Sequence, residues 1–192
     1  MQPSADTAPG ATLGVRPATT VREAAAEDWP DLWPIVREVV RAADTFSYDP
    51  TMTEAQARAA WLDAPVRVVV AVRDGVVVGT ANMYPNRPGP GSHIASGSIM
   101  VDRAVRGTGA GRALVEDMIA WARRDGYAAI QFNAVVDTNA GAVHLYESLG
   151  FVTLGIAPGA FRHPELGDVG LRIMWLELRG PAGRAATGEV GA

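Results

Sequence analysis

From Val101 to Leu114 the chain reads Val-Asp-Arg-Ala-Val-Arg-Gly-Thr-Gly-Ala-Gly-Arg-Ala-Leu, and the run from Arg106 to Arg112 has the composition most directly suited to chemistry. An apolar, strand-like segment ends at Val101, a short polar connection follows, and alternating glycines then open an amphipathic helix. Glycine admits backbone conformations that a Cβ forbids, so successive N–H groups can converge on one point, at the helix end that already carries unpaired donors and a positive dipole. The occupant of such a loop is an anion, a phosphate above all. A nucleotide P-loop would require Gly-Lys-Ser/Thr, whereas Gly111 is followed by Arg112-Ala113 and the chain contains no lysine. A dinucleotide fingerprint also fits poorly: counted from Gly107 the third glycine, Gly111, comes one place early, and counted from Gly109 the third glycine position holds Leu114.

A second cluster follows: Asn139-Ala140-Gly141-Ala142-Val143-His144-Leu145-Tyr146-Glu147-Ser148-Leu149-Gly150-Phe151. The Arg-Gly-x-Gly-x-Gly loop after a strand, with this Asn-x-x-Ala-x-x-x-Tyr helix and its Gly-Phe exit, resembles the GNAT acetyltransferase family over about residues 20 to 178. The resemblance implies a mixed, mostly antiparallel twisted sheet flanked by helices, with two neighbouring strands splayed to hold the pantetheine arm of acetyl-CoA. It implies that Arg106, Gly107, Thr108, Gly109, Ala110, Gly111 and Arg112 cradle the pyrophosphate. The backbone of Met100 and Val101 would pair with the arm, and Asn139 would bond it. Tyr146 matches the residue that protonates the departing thiolate. A phenol suits that role because, with an ordinary pKa of about 10, it remains protonated at neutral pH. For a base, Asp137 and a water held by polar strand residues both remain open.

Pro85-Asn86-Arg87-Pro88-Gly89, Gln131-Phe132-Asn133 and Phe161-Arg162-His163-Pro164-Glu165-Leu166-Gly167 are similar to a narrower branch that includes fungal azetidine-2-carboxylate acetyltransferases. Asn133 matches a cleft-side asparagine of that branch. The branch's Ala-Asn-Ala-Gly is Ala95-Ser96-Gly97-Ser98 here, so Ser96 stands where an asparagine would meet substrate, and Asp168-Val169-Gly170 replaces a usual Tyr-Val-Asp. The loop aromatics Phe46 and Tyr48, between two early helices, are further candidates for a substrate wall.

The elements that must position these residues follow from local pattern. Thr20 to Arg22 reads as a first strand. Asp28-Trp29-Pro30 starts a helix with Leu32, Ile35, Val36, Val39 and Val40 as its apolar stripe and with Pro34 as a candidate kink. Thr53 stands three residues before Gln56, a capping-box spacing that predicts a second helix to Leu62. Val66–Arg73 and Val76–Tyr84, joined by Asp74-Gly75, predict an antiparallel hairpin, and His93–Val101 returns as the strand entering the glycine loop. A helix from Arg112 to Asp125 stopped by Gly126, a strand over Tyr127–Val136, a capped helix over Ala140–Leu149, extended chain from Phe151 and a final strand over Leu171–Leu178 complete the order.

With 192 residues, 48% of them hydrophobic and 20% charged, the chain suits one α/β domain, 18–179, between Ala/Pro/Gly-rich tails at 1–17 and 180–192. A net charge of −4 with no basic run argues against a nucleic-acid partner. With no cysteine there is neither a thiolate metal site nor a cysteinyl acyl-enzyme, and with no serine-nucleophile motif acetyl would pass directly to the acceptor. His93, His144 and His163 lack metal-ligand spacing, so no metal is expected. No signal peptide or membrane-length apolar run is evident, which predicts a cytoplasmic protein without a membrane partner. The expected function is acetyl transfer from acetyl-CoA to a small-molecule amine such as an amino acid or its analogue, in a possible homodimer. A non-catalytic acyl-CoA-binding module, a protein N-terminal or side-chain acetyltransferase and, more remotely, a dinucleotide oxidoreductase are the rival readings.

Overall fold

The computed structural model describes residues 18–180; the expected tails, 1–17 and 180–192, lie outside the described residues apart from Gly180. Seven strands, β1 (Thr20–Glu23), β2 (Arg67–Arg73), β3 (Val76–Pro85), β4 (Ile94–Val101), β5 (Ala129–Val136), β6 (Val152–His163) and β7 (Gly167–Glu177), form one sheet in the order β1-β2-β3-β4-β5-β7-β6. Every neighbouring pair is antiparallel except β4 with β5, which is parallel. Four helices flank it: α1 (Trp29–Ala42), α2 (Glu54–Arg58), α3 (Ala110–Arg124) and α4 (Ala140–Ser148).

The period-2 alternation of the strands sorts their side chains onto two faces. Ala81 and Met83 of β3, Ala95 of β4 and Ile130 and Phe132 of β5 pack with Leu114, Val115 and Met118 of α3 and with Val143 of α4. On the opposite face Val68, Val70 and Met100 pack with Leu32, Val36 and Val39 of α1 and with Trp61. The odd-numbered residues of β4 therefore belong to the α3/α4 face, and Ser96, Ser98 and Met100 to the α1/α2 face. Gly97 is obligatory between them, because a Cβ there would collide with the Asn82 carbonyl oxygen and come within 2.6 Å of Met118 Cε.

The β2–β3 turn places both Asp74 (φ 51°) and Gly75 (φ 78°) in the left-handed region, as a two-residue type I′ hairpin requires. Several boundaries differ from the sequence expectation for identifiable reasons. Tyr127 belongs to the end of α3, since Gly126 turns at φ 82° and the Tyr127 N–H returns to the Ala122 carbonyl at 2.9 Å, so β5 starts only at Ala129. The capping box of α2 forms, but the α-helix ends at Arg58 and widens into a π turn over Ala59–Asp63. That turn carries Trp61 inward, where its Nε1 donates to Thr80 Oγ1 at 3.2 Å. Helix α1 runs without a break through Pro34. The last strand starts at Gly167, four residues before the expected Leu171, and pairs with β6 as a hairpin around His163–Gly167.

The feature that positions the site is a short strand pairing. β4 and β5 are in register only at Ile94↔Ala129 and Ala95↔Ile130. Past Ala95 each strand follows its other neighbour, β4 staying with β3 and β5 with β7, so an open gap divides the sheet at its centre.

Candidate active site

The gap is one part of a cleft of about 980 Å³. Its outer end is the glycine loop. Gly107 and Gly109 turn at φ 77° and 99°, and a Cβ built on either meets nothing within 4 Å, so these glycines serve the backbone conformation and the open space above it rather than packing. Thr108 N–H and Oγ1 both bond the Val105 carbonyl, closing the turn, and Ala113 N–H is the first in α3 to reach back, to the Gly109 carbonyl at 3.0 Å. The N–H groups of Ala110, Gly111 and Arg112 precede that first bond, at the positive end of the helix dipole. Arg106, Gly107, Gly109, Gly111 and Arg112 line the cleft; Thr108 and Ala110 do not, Ala110 being buried under the helix. Arg112 is steadied by Ser148 Oγ at 2.7 Å.

Inward from the loop, the wall is Ser96–Val101 on the β4 side and Phe132–Val136 on the β5 side. Asn139 caps α4, its Oδ1 accepting from Ala142 N–H at 3.3 Å, which leaves its Nδ2 as a donor at the wall. Tyr146 follows two turns later on the same helix and also lines the cleft, with its ring against Phe132 (centroids 4.6 Å apart) and Phe151 (5.8 Å). Burial alone pushes its hydroxyl above the ordinary phenol range, so it is held as a neutral donor.

Opposite Tyr146, on the α1/α2 face, the expected substrate residues Phe46, Tyr48, Ser96 and Asn133 come together, with Tyr84 and Ser98 beside them. Phe46 and Tyr48 stack with their planes 6° apart, and Phe46 stands edge-on to Trp61 at 6.2 Å. Asn133 is held by a chain of side chains: Gln131 Nε2 donates to its Oδ1 at 2.8 Å, and its Nδ2 donates to Asn86 Oδ1 at 2.6 Å, with Ser96 Oγ at 3.5 Å. Tyr84 and Ser98 were not singled out from sequence. Their signal was the strand alternation that places them on the face of Ser96.

Asp137 is not part of the wall; its Oδ1 accepts from Arg172 Nε at 2.6 Å in an ion pair. Among the described residues, none that lines the cleft is Asp, Glu or His, and there is no group of three His, Asp or Glu suited to a metal.

The same architecture occurs in a GCN5-related N-acetyltransferase from Kribbella flavida, which is 55% identical, with 84% of this chain and 98% of that chain covered at a TM-score of 0.81. A putative acetyltransferase from Salmonella typhimurium, yncA, is 28% identical, with 85% and 95% covered at a TM-score of 0.75. N-acetyltransferase aca1 of Schizosaccharomyces pombe is 36% identical over 86 residues, which are 45% of this chain and 41% of that protein. The chain spans less than half the length of the curated relatives it matches. The Acetyltransferase (GNAT) family model matches residues 21–151, from β1 through the glycine loop to the end of α4, and the chain belongs to that family.

Proposed function

We propose that this chain is an acetyl-CoA-dependent N-acetyltransferase acting directly on the amine of a small molecule, of the size of an amino acid or an amino-acid analogue. The observation that carries this reading is a sheet opened between β4 and β5, with free helix N–H groups at one end and a buried neutral phenol and a polar pocket on opposite faces of the other. The gap fits acetyl-CoA: unpaired strand edges suit an amide-bearing arm, and the loop, with Arg106 and Arg112, suits a pyrophosphate. The Salmonella typhimurium relative is described with acetyl-CoA as its cofactor.

Acetyl-CoA supplies a thioester carbonyl and a thiolate leaving group. The chain orients the amine from the α1/α2 face; as the N–C bond forms and the C–S bond breaks, Tyr146 gives its proton to the sulfur. The proton lost by the amine leaves through water at the hydroxyl of Ser98, and solvent restores Tyr146. A cytoplasmic location and a homodimeric state belong to the same proposal. Two features oppose a purely binding role: Asn139 and Tyr146 are both retained, and both line the cleft.

Calorimetry with acetyl-CoA and NAD, followed by CoA release with a panel of amines, tests the proposal. Acetyl-CoA binding, no NAD binding and amine-dependent CoA release are expected. Gly109→Val, which forces a branched side chain into φ 99° above the loop, weakens acetyl-CoA binding at least tenfold, about 1.4 kcal/mol. Unchanged affinity in a folded Gly109→Val protein removes the loop from the site.

A further inference from the structure

Among the described residues, the acceptor side of the cleft carries no formal charge. Its wall is Phe46, Tyr48, Tyr84, Ser96, Ser98 and Asn133, and the arginines that line the cleft, Arg106 and Arg112, lie at the glycine-loop end. Arg87 sits on the exposed β3–β4 connection, where its Nη1 donates to the Asn86 carbonyl at 2.9 Å and lies 3.4 Å from Asn86 Oδ1, and it is not part of the wall. A carboxylate brought among neutral groups loses its hydration without gaining a counter-charge, whereas a neutral carbonyl or a ring loses little. The same wall offers what neutral groups prefer. The parallel rings of Phe46 and Tyr48 form an apolar surface, and burial together with the neighbouring Tyr84 holds the Tyr48 hydroxyl above its ordinary pKa, as a donor. The Asn133 amide is already engaged on both sides by Gln131 and Asn86, which leaves hydroxyls to meet the acceptor.

We propose that the acceptor is an amine whose remaining part is uncharged, bearing a ring or other apolar group and a neutral hydrogen-bond acceptor such as an amide or ester carbonyl, and not a free amino acid. This rests on the reading of the cleft as an acetyl-transfer site and narrows its substrate class. The chemistry balances with acetyl-CoA alone: the amine nitrogen gains the acetyl group and loses one proton, and the sulfur gains one.

The test is kcat/KM at saturating acetyl-CoA for matched pairs: phenylalaninamide against phenylalanine, glycinamide against glycine, and 2-phenylethylamine as a ring without a carbonyl. Each value is corrected for the fraction of amine that is neutral at the assay pH, because an amide lowers the pKa of its neighbouring amine. Phenylalaninamide is expected to exceed phenylalanine at least tenfold, glycinamide to exceed glycine, and the aromatic amide to exceed glycinamide. Arg87→Ala is expected to leave this ranking unchanged. Equal or better turnover of the free acids overturns the inference and leaves acetyl transfer standing, as does an acid preference that disappears in Arg87→Ala. CoA release with none of these amines, in protein that binds acetyl-CoA, overturns the inference together with the small-amine reading.

Discussion

Tyr146 combines two properties that rarely coincide on one side chain: it is 9% exposed in an aromatic cluster, and it forms part of the cleft wall. Packing alone would explain the first, so the two roles have to be separated by experiment. Tyr146→Phe keeps the ring against Phe132 and Phe151 and removes only the donor, so kcat falls roughly 10²-fold while acetyl-CoA affinity stays nearly constant. A kcat within a few-fold of wild type, with chemistry shown to limit turnover, would assign protonation of the sulfur to another group. The pKa shift supplies a second readout with a definite sign. Burial raises the folded-state pKa above that of the unfolded chain, so the stabilising contribution of the neutral phenol is complete below about pH 10 and is lost as pH rises toward the folded value. The alkaline fall in melting temperature is therefore shallower in Tyr146→Phe. Of the residues that line the cleft, Gly107, Gly109, Gly111, Asn139 and Tyr146 were legible because each lies in a local pattern. Asp137 also looked suitable in sequence, but its partner Arg172 is 35 residues away, on a strand that β5 meets only in the folded sheet.

At the scale of elements, signals contained within a few residues were readable and those set by tertiary packing were not. Asp74-Gly75 specified its hairpin and Thr53-Gln56 its capping box, because turn and cap chemistry acts over two to four residues. The π turn over Ala59–Asp63 left no comparable trace, since what favours it is the distant Thr80, which receives the Trp61 N–H and itself donates to the Val69 carbonyl at 2.8 Å. Tyr127 read as strand for a similar reason: its strand propensity yields to the helix-end bond and to Trp121, 4.8 Å away between centroids. The π turn bears on the cleft, because Trp61 backs Phe46, which lines it. Trp61→Phe loses one buried hydrogen bond and part of a fully buried ring, costing about 2 kcal/mol of stability. It also loosens the Phe46 wall, so KM for the acceptor rises roughly fivefold, about 1 kcal/mol, with acetyl-CoA affinity unchanged. Chemical denaturation and the two affinities measured separately check this. An equal loss for both ligands would mean that the wall and the gap move as one unit.

The whole molecule is two half-sheets, β1–β4 and β5–β7, in register with each other at only two residue pairs, Ile94↔Ala129 and Ala95↔Ile130. Their union depends on α3, whose Leu114 and Met118 are fully buried in a cluster that takes Val69, Ala81 and Met83 from one half and Ile130, Met174 and Leu176 from the other. Side-chain packing on one face thus replaces the backbone pairing that the gap forgoes, and past Ala95 and Ile130 the facing edges of β4 and β5 have no register with each other. The continuous strand patterns on both sides gave no sign of this in the sequence; the splay followed only from the resemblance, because pairing between two strands separated by a helix is a non-local property. A ligand seated in the gap touches both edges and stabilises the folded chain by mass action. At a hundred times its Kd, acetyl-CoA adds about 2.7 kcal/mol, which for a domain of this size raises Tm by roughly 5–10 °C. The location of the effect discriminates more sharply than its size. If the gap is the binding site, amide hydrogen exchange slows on both edges, over 97–101 and 132–136, as well as in the glycine loop. Protection confined to the loop, with the strand edges exchanging as they do without ligand, would mean that the pyrophosphate alone is held and that the opened sheet serves some other purpose.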